Sequence, residues 1–218
     1  MNMQFILLVI FGVVSVVYLT TLAFKPGLFQ FILKGTLMPL VLGIYIFGVG
    51  ANNIFLPIVL ALIFAWIGDV LLVRITNILW FKLGLASFLV GHICYIAAMY
   101  GFAQPFNIPV LIISIAAAAC FGVTAYKVVR PSKQMRIPVI AYETIIMVMA
   151  IIALQLFLSQ SNSNHTVFGV LVFAGSICFV ISDTLLALRT FRRVKIYFAV
   201  MVTYIAAQLL IALGFCAV

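Results

Sequence analysis

Residues 166–193 read TVFGVLVFAGSICFVISDTLLALRTFRR. From Thr166 to Leu188 the run holds one charged side chain, Asp183, and then meets Arg189, Arg192 and Arg193. A helix on the surface of a soluble protein would show a polar stripe with a 3.6-residue period. This run has none and exceeds the roughly 20 residues needed to cross the hydrocarbon core of a bilayer. It reads as a membrane span with a basic collar at its end.

The rest of the chain repeats the pattern. Of 218 residues, 67% are hydrophobic and 7% charged, against about a quarter charged in a soluble domain. That composition excludes a soluble enzyme, a secreted disulfide scaffold, a disordered chain and a nucleic-acid-binding module. Cys94, Cys120, Cys178 and Cys216 lie singly in apolar runs and read as small buried hydrophobes. The N-terminus lacks the basic segment of a signal peptide, so its run is kept as a span. Eight helices are expected, near residues 5–24, 33–50, 54–73, 80–101, 108–128, 137–158, 166–188 and 194–216, forming one all-α integral-membrane domain over residues 1–218. Pro57, Pro109 and Pro138 fall in first turns, where proline is tolerated. Pro39 lies deeper and should kink or loosen its helix.

All 12 Lys and Arg fall at alternate connections, and the connections around Asn52, Gln104-Pro105 and Ser159–His165 hold none. The basic set is Lys25 and Lys34, Arg74 and Lys82, Lys127 to Arg136, and Arg189 to Lys195. By the positive-inside rule these ends are cytoplasmic and both termini face away.

The three acids, Asp69, Glu143 and Asp183, all fall inside spans. A carboxylate at mid-span costs about 2.5–3.5 kcal/mol on insertion scales, so a functional role is the default reading. Asp69 precedes Arg74 by five residues and Asp183 precedes Arg189 by six, which sets both roughly 7–9 Å below the collar. Glu143 sits about 10 Å deep by the same measure. Polar residues at similar depth complete a candidate site. His92 shares a helix face with Phe88 and Tyr95, and Tyr204 and Gln208 are four residues apart on the last helix. Tyr142 adjoins Glu143, and Lys34 opens the second helix. Gly84, Ser87 and Gly91 suit a close helix approach. Each of these also has a plain structural reading as an interhelical hydrogen bond. Asp69-Val-Leu-Leu-Val and Asp183-Thr-Leu-Leu-Ala, each followed by a basic loop and a Tyr-Ile-Ala-Ala, suggest a parallel four-plus-four repeat.

One intramembrane histidine is too few for the three protein ligands of a catalytic zinc. No Gly-x-Ser-x-Gly, Walker or Rossmann pattern is present. A carboxyl pair remains. Burial disfavours ionisation, so one carboxyl can stay protonated as general acid while its partner is ionised. Such a pair serves cleavage through a cationic intermediate, or proton-coupled transport.

The stretches Gly68-Asp69-Val-Leu-Leu, Gly84-Leu-x-x-Phe88-x-x-x-His92-x-x-Tyr95, Gly175-x-x-x-Phe179-x-x-Ser182-Asp183-x-x-Leu186-Ala187-x-x-x-Phe191 and Tyr204-x-x-x-Gln208-x-Leu-Ile occur in this order. Together they resemble the YhhN-like lysoplasmalogenase family, the transmembrane protein 86 group, over residues 34 to about 211. The sequence departs after Lys34, where the family's early proline is delayed to Pro39, and Glu143 is not in the pattern. The resemblance implies a membrane hydrolase that splits the vinyl ether of a lysoplasmalogen into a fatty aldehyde and a glycerophospho-ethanolamine or -choline. Asp69 and Asp183 would be catalytic. Lys34, His92, Tyr95, Tyr142, Glu143, Ser182, Tyr204 and Gln208 would contact substrate, with Lys34 and the arginine collar on the phosphate. No cofactor, metal or nucleic acid is expected. The partners are lysophospholipid and membrane lipid, and the location is a bacterial inner membrane with the site toward its cytoplasmic half. The competing readings are a proton-coupled carrier and a non-catalytic lipid-binding protein.

Overall fold

The computed structural model describes residues 2–24, 27–74, 77–103, 105–161 and 163–218. Lys25, Gln104 and the side chain of Arg74, assigned to loops from sequence, lie outside the described residues. Among the described residues eight α-helices follow one another: α1 (Met3–Thr21), α2 (Leu28–Val49), α3 (Leu56–Leu71), α4 (Ile78–Tyr100), α5 (Ile108–Val129), α6 (Arg136–Gln160), α7 (Thr166–Arg192) and α8 (Tyr197–Phe215). Among the described residues there is no strand. Seven of these described helices are long and apolar enough to cross a membrane. The exception is α3, with 16 residues, about 24 Å long. It tightens into a 3-10 turn over Leu72–Arg74, which adds about 6 Å.

Large apolar side chains such as Phe5, Val13, Val16, Ile112, Ile113, Ile137 and Val167 are exposed on the outside. A water-soluble monomer does not carry such a surface; a bilayer solvates it, and the chain is an integral membrane protein. The cysteines correct one expectation: none is fully buried, and Cys120 is exposed on α5. The physical reason is that the lipid-facing surface of a span is itself apolar.

The central helix is α8, whose buried face runs from Val200 through Tyr204 and Gln208 to Phe215. It packs chiefly on α7, as α3 does on α4, while α5 touches α6 and α7 at the edge. Close packing of α7 on α8 needs Gly175: a Cβ there would stand 3.0 Å from the Ala207 carbonyl oxygen and 2.7 Å from Ile211. Gly68, beside Asp69, likewise leaves no room for a Cβ, which would meet the Phe88 ring at 2.6 Å. At the end shared by both termini, Phe102, Phe168 and Phe215 pack edge to face, with centroids 5.0–6.2 Å apart. The opposite end carries the basic residues.

Pro39 lies inside α2, which runs on through it. Proline lacks an N–H, so the carbonyl four residues back, on Gly35, loses its helical donor. Trp66 of α3 replaces it, its Nε1–H donating to the Gly35 oxygen at 2.8 Å. In lipid no water can satisfy such a group. Trp66→Phe is therefore expected to cost about 1–3 kcal/mol, read as a lower melting midpoint in detergent.

Candidate functional site

The two aspartates face one space. Lys34, Asp69, Leu72, Phe88, Asp183, Leu186, Arg189, Tyr197, Val200, Met201 and Tyr204 line a cavity of about 40 Å³, room for a few waters. Five helices contribute: α2, α3, α4, α7 and α8.

Asp69 is 4% exposed and fully partnered. Lys34 Nζ lies 3.0 Å from its Oδ1, and the Tyr204 hydroxyl donates to its Oδ2 at 2.7 Å. Gln208 Nε2 donates to the same Tyr204 oxygen at 3.4 Å. The Tyr95 hydroxyl donates to Gln208 Oε1 at 2.6 Å. A hydrogen-bonded line thus runs from α4 through α8 to α3. Helix α2 starts at Leu28, earlier than its apolar run suggests, so Lys34 stands a turn and a half inside the helix. That carries its ammonium to Asp69.

Asp183 is partnered differently. The Tyr142 hydroxyl donates to its Oδ2, and Oδ1 makes no hydrogen bond among the described residues. The nearest cationic candidate is His92, whose Nε2 lies 4.0 Å from Oδ2. His92 Nδ1 is 2.7 Å from the Phe88 carbonyl oxygen. A carbonyl only accepts, so Nδ1 carries the hydrogen and Nε2 of the neutral ring is a bare acceptor. That Nε2 is buried without a hydrogen-bond partner and points at Asp183. Tyr142 and Phe179 hold the ring edge to face, at 5.4 and 4.9 Å between centroids.

Of the residues singled out from sequence, Lys34, Asp69, Asp183 and Tyr204 meet on the cavity wall. Tyr142 and Glu143 share with Asp183 a second cavity of about 50 Å³ between α5, α6 and α7. His92, Tyr95 and Gln208 stand behind the wall. Ser182 donates to the Val200 carbonyl at 3.1 Å, tying α7 to α8.

Sequence reasoning overlooked Tyr197 and Tyr18. A wide groove of about 1070 Å³ opens at the basic end between α1, α7 and α8, with Arg189, Arg193, Lys195, Thr190 and Tyr197 in its wall and no acid. Arg189 stacks its guanidinium over the Tyr197 ring, 3.9 Å from the centroid. The Tyr197 and Tyr18 hydroxyls are 3.2 Å apart. Arg189 and Tyr197 line both this groove and the aspartate cavity, so the two spaces adjoin. An aromatic flanking a basic loop was the available signal for Tyr197; nothing in the sequence joins α1 to α8.

No curated protein and no solved structure matches the chain. A family model described as the YhhN family matches residues 29–215. The match takes in every residue of the aspartate cavity and omits α1. Covering most of the sequence, it shows that the chain belongs to the YhhN family.

Proposed function

We propose that this protein is a lysoplasmalogenase, hydrolysing the vinyl ether of a single-chain phospholipid, with Asp183 as proton donor and Asp69 as the ionised partner. The observation that carries the reading is one cavity holding two aspartates with unlike partners. A buried carboxylate needs a counter-charge. Asp69 has the Lys34 ammonium. Asp183 has no cation at that range and keeps its Oδ1 free, as a donor of a proton must.

Hydrolysis begins when Asp183 protonates the β-carbon of the vinyl ether, leaving an oxocarbenium ion. The Asp69 carboxylate stabilises that cation, as paired carboxylates do in glycosidases. It then takes a proton from the attacking water. The resulting hemiacetal collapses to aldehyde and alcohol: its hydroxyl proton returns to Asp183, and Asp69 gives the proton it took from water to the departing glycerol oxygen. One water is consumed and both carboxyls return to their starting states. Tyr204 and Tyr142 hold the two carboxyls in place. The headgroup phosphate lies in the basic groove on Arg189, Arg193 and Lys195, at the end the positive-inside rule makes cytoplasmic. Lys34, engaged on Asp69, acts on the carboxylate and not on the phosphate.

Purified protein given lysoplasmalogen in detergent is expected to release free fatty aldehyde; a proton-coupled carrier or a scaffold releases none. Arg193→Gln is expected to raise KM about tenfold with kcat nearly unchanged, since a charge-assisted hydrogen bond contributes about 1.5–3 kcal/mol. Steady-state kinetics check this.

A further inference from the structure

We propose that the substrate's hydrocarbon chain enters and leaves sideways from the bilayer, between α5 and α6, and that this crevice is its binding channel. The inference rests on the hydrolytic reading of the aspartate cavity. An amphiphile bound there has one orientation. The basic groove, with three cations and no acid, takes the anionic end. The scissile group lies at the aspartates, so the chain continues beyond Asp183. On that side the 50 Å³ cavity begins, with Asp183 in its wall. Through Tyr126, Glu143 and Met147 it joins an open groove of about 690 Å³ between α5 and α6. That volume lies within the roughly 300–1,000 Å³ of small-molecule sites. Its wall is chiefly apolar, from Ile115 to Ile151, and it opens to lipid.

The groove exists because α5 is held at its ends and stands off in the middle. At one end the Gln155 amide of α6 accepts from the Asn107 N–H at 2.8 Å and donates to the Asn107 carbonyl at 3.4 Å. At the other end Val129 is buried, alone among the residues of α5. Between them Ala118, Ala119 and Gly122 face the groove. A Cβ at Gly122 would have only Glu143 within reach, at 3.7 Å. Asp183 lines both this space and the aspartate cavity, so the chain passes beside the carboxyl that the Tyr142 hydroxyl holds. Among the described residues Glu143 makes no hydrogen bond or ion pair, so it adds no polar link between α6 and α5 at mid-groove.

The test uses the full-length protein in lipid nanodiscs and a lysophospholipid with a diazirine near the end of its chain. Photolysis is expected to label α5 and α6 around Gly122 and Met147, with labelling suppressed by excess unlabelled lysolipid. Label on the α1–α8 face, or label that competitor does not reduce, overturns the proposal. Gly122→Trp and, separately, Ala119→Trp are expected to lower kcat/KM for a long-chain lysoplasmalogen on the order of tenfold. The loss on a short-chain vinyl ether should be smaller. Equal losses on both substrates, or none, also overturn it. If the unaltered protein releases no aldehyde, the hydrolase reading fails, and the labelling pattern alone decides whether the crevice holds a lipid chain.

Discussion

Asp183→Asn is expected to lower kcat for aldehyde release by about 10²–10⁴-fold, the usual contribution of a positioned general acid. The protein should still melt and elute as the unaltered chain does. Asn matches Asp in shape, so Tyr142 keeps an oxygen to donate to and the cavity keeps its walls. What disappears is the proton that Oδ1 can give to carbon. Protonation of a vinyl ether carbon is the demanding step, and no other group on the cavity wall is both acidic and free of a cation. KM should change little, because Asp183 is not in the wall of the phosphate groove and the amide leaves the cations there untouched. A variant retaining full turnover would remove Asp183 from the chemistry and leave it a helix-linking residue.

Lys34→Met is expected to damage folding as well as activity. It strips the counter-charge from an aspartate 4% exposed, and breaking a buried ion pair on one side costs about 3–5 kcal/mol. Most of that is the penalty of the charge left behind. The double variant Lys34→Met with Asp69→Asn removes that charge and should recover most of the melting midpoint, because Tyr204 can still donate to the Asn oxygen. It should recover no hydrolysis. The two readouts separate: stability follows charge balance, and turnover follows the presence of a carboxylate. If the double variant hydrolyses lysoplasmalogen, Asp69 is a structural anion and the two-carboxylate mechanism is wrong.

The helices were legible because membrane spans announce themselves by length and apolarity. The depth of the aspartates was legible too, since a fixed rise per residue measured from Arg74 and Arg189 places both at one level. Partner choice was not. Tyr204 reaches Asp69 across 135 residues, and Tyr142 reaches Asp183 across 41. Such pairings depend on which helices adjoin, and hydropathy carries no record of that. For the same reason Tyr142 could be named only as a neighbour of Glu143, when its own side chain turned out to hold the aspartate. The start of α2 was misplaced: it begins at Leu28, five residues before its apolar run, and the extra turn carries Lys34 inward. The edge position of α5 was hidden because a lipid-facing helix and a buried one are equally apolar.

The proline of α2 has a mechanical outcome beyond its own helix. Trp66 and Asp69 are three residues apart on α3, and their partners on α2, Gly35 and Lys34, are neighbours. Two rungs about one turn apart join the same pair of rods. A single rung acts as a swivel; a second removes both roll and slide. A missing amide hydrogen, through the indole it recruits, thereby locks the bearing of a carboxylate whose aim onto a reacting carbon must hold to a fraction of an ångström.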